Sequence, residues 1–286
     1  MSSIADFIGN PDLLSPNGSL AALTSTFVII ICRVSAVIMT SPGLGDTSAP
    51  SRIRAGIALA TTVAILPVVN DHIQSLAGEA MRMPSSAIMI IAEEILCGIF
   101  IGLLARLITL SIAISMQIVS VFTGMSSVIQ PDSQLGSSST AISHMANSLI
   151  PVIIFTTGMY ALPLYAIVGS YNLFPPGHIT MQITGDMAHS ISQATGETFS
   201  IAMQLAAPFV LIGTLWPAML GVLNKLMPTL QVYSVAMPAQ LLGSLLLLAL
   251  LIQVVTGTWQ ERIQGILLEL PGIQSLTNTP PHPKQK

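Results

Sequence analysis

Apolar residues fall along this chain in long blocks separated by short polar punctuation, and the blocks have the length of membrane-crossing helices. Residues 19–40 form the first, with Arg33 as its only charge. A Pro- and Gly-marked loop over 41–56 carries Arg52 and Arg54, and a short second span is predicted over 53–69. Residues 70–84 are polar, with Asp71, Glu79 and Arg82, and read as an aqueous loop. The next block, 86–131, does not fit the scheme. As one straight helix it would run roughly 65 to 70 Å at 1.5 Å per residue, against a hydrocarbon slab about 30 Å thick. It must fold back, break or leave the bilayer.

Within that block, 86–110 predicts a third span with a readable face: Glu94, Gly98, Gly102 and Arg106 recur every four residues along one slowly turning ridge. Gly98 and Gly102 make a GxxxG, which permits close helix approach in lipid. Glu93 points about 100° away from Glu94, so one of the two carboxylates needs a different partner or solvent. Residues 107–131 carry no charge before Pro131, yet they hold Ser111, Ser115, Gln117, Ser120, Thr123 and Gly124. Such a stretch is too polar for lipid and suits a segment buried in protein or lining a cavity. Residues 131–140 read as a Ser/Gly loop, and 141–171, broken by Pro151, Gly158 and Pro163, as a bent span or a short hairpin. A polar stretch over 174–198 precedes an apolar run over 199–223 that Pro208 and Pro217 should kink. The last span is predicted over 233–257, and the tail over 272–286 is expected to be disordered.

Composition changes the picture in one direction only. Of 286 residues 52% are hydrophobic and 7% charged, where a soluble domain carries about 25% charge. The expected class is therefore all-α: a polytopic membrane protein of kinked helices and helical hairpins, forming one domain over residues 1–286. The polar N-terminus, 1–18, lacks the basic region of a signal peptide, so the first span is expected to direct insertion. A net charge of −3 without a basic patch argues against nucleic acid as a partner. Cys32 and Cys97 read as buried thiols. Arg33, deep in its span, calls for a partner inside the bundle or a snorkelling route out. The basic residues do not fall on one side under a simple six-span count.

Chemistry-bearing motifs are missing from the sequence. There is no GxxxxGK[ST], HExxH or GxSxG, and the five histidines lack ligand spacing. No catalytic residue, metal or cofactor is expected. An ion- or proton-coupled transporter using Glu93, Glu94 and Arg106 is one reading of the intramembrane charges, although no inverted repeat is evident.

An ordered set of residues carries a resemblance that covers nearly the whole chain. Arg33 is followed by a Pro42-Gly43 turn, then by Pro50-Ser51-Arg52-Ile53-Arg54-Ala55-Gly56, and then by Glu94, Gly98 and Gly102 spaced as E-x-x-x-G-x-x-x-G. Gly124-Met125-Ser126, Pro131-Asp132, Pro175-Pro176-Gly177 and Ala207-Pro208 come next, and Leu223-Asn224-Lys225 leads through Pro228 to Tyr233, with Pro238 beyond. This set resembles the FliR/SctT family of type III secretion export gate subunits. Ser115-Met116, Thr157-Gly158-Met159 and Lys225 depart from the family's pattern, marking a diverged member.

The resemblance implies a non-enzymatic, single-copy subunit of a flagellar export gate in the bacterial inner membrane at the basal body. It implies partners of FliP-like, FliQ-like and FlhB-like type in a larger helical pore complex that passes unfolded secreted proteins. It also implies a mid-chain plug closing the pore, which falls on 107–130 and would involve Met116, Gln117, Phe122, Gly124, Met125 and Ser126. Deleting 117–126 is expected to leave assembly intact and make the membrane leaky. Glu94 is either an inter-subunit or pore-facing carboxylate or half of an internal pair. Gly98, Gly102 and Arg106 continue its ridge, expected to meet neighbouring subunits, and Arg52, Arg54, Lys225 and Pro228 are further candidate interface residues.

Overall fold

The structure, a computed structural model, describes residues 19–45, 50–82, 84–125, 129–131, 138–178, 180–226 and 232–273. The chain before residue 19 and the tail beyond 273 lie outside it. Helix dominates the described residues, as an apolar chain with few backbone partners other than itself requires. Among the described residues, five helices are long and apolar enough to cross a membrane, or six if one bent pair counts as a span.

Helix α1, Ser19–Thr40, contains neither Gly nor Pro and stops where Pro42 and Gly43 follow, Gly43 taking φ 80°. Helix α2 spans Ser51–Arg82 and α3 Pro84–Thr109, with Pro84 at its first position, where a missing N–H costs nothing. After a one-residue offset at Leu110, α4 covers Ser111–Phe122, and the chain then turns through Thr123 and Gly124. Strands β1, Ile129–Pro131, and β2, Ser138–Thr140, pair antiparallel with Ile129 opposite Thr140. Helices α5, Ala141–Thr157, and α6, Ala161–Leu173, bend by 71° at Gly158. Helix α7 runs Met181–Leu226 and α8 Val232–Leu268.

One stretch expected to be a loop is helical, and so is most of the long polar stretch. Residues 70–82 continue α2, because Gln74, Leu76, Ala77, Glu79, Ala80 and Met81 are good helix formers and no proline interrupts them. Residues 181–198 begin α7: their polar residues hide a helical period in which Met187, Ala194 and Thr198 are all buried. Likewise 131–140 is not wholly loop, since its two ends pair as β1 and β2. The block over 86–131 resolves its length by breaking, after about 38 residues of nearly continuous helix, at Thr123–Gly124.

The described residues divide into two compact units. The first draws on the described residues within 19–106, 154–192 and 266–273. In it α1 lies along α2, and both touch α6, around a core that includes Ile30, Val37, Ile73, Ile101 and Ile167. The second draws on Leu107–Ile153 and Gln193–Gly265. Its centre is Val119, Ala206 and Phe209, with Leu247, Leu248 and Leu251 of α8 packed against them.

Candidate functional site: a buried ion-pair cluster

The first unit is built round a charge. Arg33 and Glu94 are 1% and 0% exposed, and an ionised side chain at such a depth in an apolar helix costs about 2.5–3.5 kcal/mol on insertion scales if left alone. It is not left alone. Arg33 Nε donates to Glu94 Oε2 at 2.8 Å and Nη2 donates to Oε1 at 2.7 Å, a two-pronged pair that uses the planar match of guanidinium and carboxylate. Nη1 donates to Ser170 Oγ at 3.0 Å, and Nη2 also donates to the Phe174 carbonyl at 3.0 Å. Four of the five guanidinium N–H bonds are thereby matched. The Tyr171 ring lies under the guanidinium, 3.9 Å from Cζ to the ring centroid, while its hydroxyl donates to Glu94 Oε2 at 3.3 Å.

The backbone makes this geometry possible. A Cβ on Gly98 would lie 2.5 Å from the Arg33 carbonyl oxygen and 2.6 Å from Ala36 Cβ; on Gly102 it would collide with Thr40 Oγ1. The ridge Glu94–Gly98–Gly102 of α3 therefore seats directly on Arg33, Ala36, Val37 and Thr40 of α1, one helical turn at a time. Helix α6 completes the clamp with Ser170, Tyr171 and, just past its end, the Phe174 carbonyl, where Pro175 and Pro176 prevent further helix. Phe100 of α3 meets the Phe174 ring edge-on at 5.9 Å. With every carboxylate oxygen engaged and no access from solvent, the cluster is suited to holding three helices together and not to moving a proton.

Glu94, then, is half of an internal pair, one of its two expected roles, and Gly98 and Gly102 meet α1 of the same chain, where the ridge was expected to meet neighbouring subunits. Arg106 ends it half-buried, Arg54 is half-buried and Arg52 and Lys225 are exposed. In the second unit, Met116 is buried and Gln117 and Phe122 are half-buried. Gly124 is exposed with φ 80°, and Met125 is half-buried. Ser126 and Pro228 lie outside the described residues. Helix α4 is fixed by polar ties, Trp259 Nε1 donating to Ser111 Oγ at 3.1 Å and Ser143 Oγ to the Ala113 carbonyl at 3.1 Å. Its end is held too: Gln240 Nε2 donates to the Phe122 carbonyl at 3.3 Å, and Gly213 of α7 leaves no room for a Cβ beside Phe122. A cavity of about 240 Å³ adjoins this end, lined by Thr123, Phe209, Trp216, Gln240 and Leu247 among others.

The sequence profile of the bacterial export proteins, family 1, matches residues 24–266. The chain belongs to this family. Curated relatives of this export protein include the flagellar biosynthetic protein FliR of Caulobacter vibrioides, 29% identical over 84% of this chain and 93% of the relative. The FliR proteins of Bacillus subtilis and Escherichia coli are each 22% identical, over 83% and 79% of this chain and 90% and 83% of their own lengths. The matched region of the export protein contains both halves of the cluster, Arg33 and Glu94, together with Ser170, Tyr171 and Phe174. The last three were not among the expected site residues. Serine, tyrosine and phenylalanine near a Pro-Pro turn are ordinary residues, and only the fold shows that they face a charge 77 to 141 positions away.

Proposed function

We propose that the chain is a non-enzymatic membrane subunit of a flagellar protein export gate. It assembles with FliP-like, FliQ-like and FlhB-like chains in the bacterial inner membrane at the basal body, and unfolded protein substrates pass through the pore they form together. The family supplies membership of an export apparatus. One observation on this chain supports the assembly. Exposed apolar side chains of α7 run from Phe199 to Leu226, about 40 Å of helix at 1.5 Å per residue. That exceeds the slab of about 30 Å. Fitting it within the slab needs a tilt at the limit of the usual range of about 0–40°, and apolar surface outside the slab needs protein to cover it.

Closure of the pore belongs, in this proposal, to the chain that follows Phe122. Helix α4 up to Val119 and Ser120 is packed into its own unit, whereas Val121 and Gly124 are exposed and β1 and β2 follow. Replacing 129–140 with a short Gly-Ser link should therefore leave the complex intact and make the membrane permeable to ions. Deleting 117–126, by contrast, removes Val119 from the core beside Ala206 and Phe209 and should abolish the complex itself. Ion leak is read with a potential-sensitive dye, assembly by co-extraction. A tight membrane with normal secretion after replacement of 129–140 would contradict the assignment. The transporter reading has less support, because Glu94, its best relay group, is already saturated by Arg33 and Tyr171.

A further inference from the structure

Glu93 and Glu94 are neighbours on α3, and the cluster supplies one guanidinium for two carboxylates. Glu94 takes it. Glu93 points about 100° further round the helix, where its Oε2 is sealed from solvent and accepts no hydrogen bond among the described residues. No other cation whose side chain is described forms an ion pair with Glu93, and Arg106 lies thirteen positions on, about 20 Å along the same helix. Among the described residues the cluster therefore leaves Glu93 without a countercharge.

The position of that charge is specific. On the helical wheel Met89 and Leu96, 67% and 42% exposed, lie about 40° and 60° to one side of Glu93, and buried Cys97 about 40° to the other. Glu93 therefore sits on the seam between the packed face of α3 and an apolar stripe that continues through Ile88, Ala92 and Ile99. It is about 14 Å from the start of the helix, mid-slab depth for a span that begins there. Acyl chains offer no donor at that depth. A carboxylate whose oxygen is already desolvated gains most from a charged donor brought by another helix.

We propose that this face of α3 docks an apolar helix of a partner membrane chain, and that the helix carries a lysine or arginine at mid-span depth that pairs with Glu93. The inference rests on the assembly proposed above and names the charge that one of its interfaces must contain. Charge complementarity identifies the occupant: a second copy of this stripe would set Glu93 against Glu93, and lipid would leave the charge unmet.

The test uses the affinity-tagged full-length chain, expressed with its own partners in its own membrane. Glu93→Gln should reduce co-extracted partner chains several-fold, and Glu93→Lys should reduce them by at least about tenfold, with membrane abundance of the chain unchanged. A photoreactive residue in place of Leu96, in an otherwise native chain, should yield an adduct whose partner peptide is an apolar helix containing Lys or Arg. That second measurement decides the matter if Glu93→Lys also lowers abundance. Native levels of partners with Glu93→Lys overturn the inference, as does an adduct with lipid alone or with a helix lacking a basic residue. If the native chain brings down no other membrane chain, the assembly reading fails instead.

Discussion

At the scale of single residues, the Arg33–Glu94 pair works because neither partner is dispensable alone. Replacing Arg33 by Met leaves a fully buried carboxylate with only the Tyr171 hydroxyl to meet it, a change of about 3–5 kcal/mol. The variant should fall sharply in membrane abundance. Arg33→Met combined with Glu94→Leu removes both charges and should recover most of the loss, since an apolar pair of similar volume suits the site. Quantitative immunoblotting of the membrane fraction reads both; equal abundance of the single and double variants would mean that the pair does not hold the helices. Gly102→Ala tests the same contact without touching charge. Its Cβ has to displace Thr40 Oγ1 and the backbone of α1 at Val37, which should cost about 1–3 kcal/mol and lower the thermal midpoint of the extracted protein. Gly56, which has open space where a Cβ would go, is the control, and Gly56→Ala should leave the midpoint unchanged or slightly raised.

At the scale of elements, much of the helical pattern was legible in the sequence. An arginine that cannot remain alone in an apolar span, and a Glu-Gly-Gly ridge at four-residue spacing, pointed to a buried partner and a close helix contact. That the two were the same contact required the fold, since α1 and α3 are separated by all of α2. Polar composition misled at residues 70–82, which read as a loop but run on as helix past the apolar part of α2. Residues 181–198, read only as polar, hold Gln182, Asp186, His189 and Glu197, yet Met187, Ala194 and Thr198 keep a helical period and are buried. The candidate plug was legible as a segment unsuited to lipid, but the sequence could not divide it. Ser111 is polar because it meets Trp259 where α4 packs against α8, and only beyond Thr123 does the chain leave that packing.

At the scale of the whole molecule, the exposed apolar length of α7 and the Glu93 Oε2 atom, which has no partner among the described residues, ask for the same thing, further protein surface to cover them. Membership of the bacterial export proteins gives that requirement a setting. The most direct measurement is native mass determination of the tagged chain, extracted from its own membrane in mild detergent, with identification of every co-extracted component. The export-gate proposal predicts one copy of this chain in a stable complex with several small apolar membrane chains, and no solute movement when this chain alone is placed in liposomes. A monomer that leaves the membrane without partners, and by itself drives uptake abolished by Glu94→Gln, would contradict it.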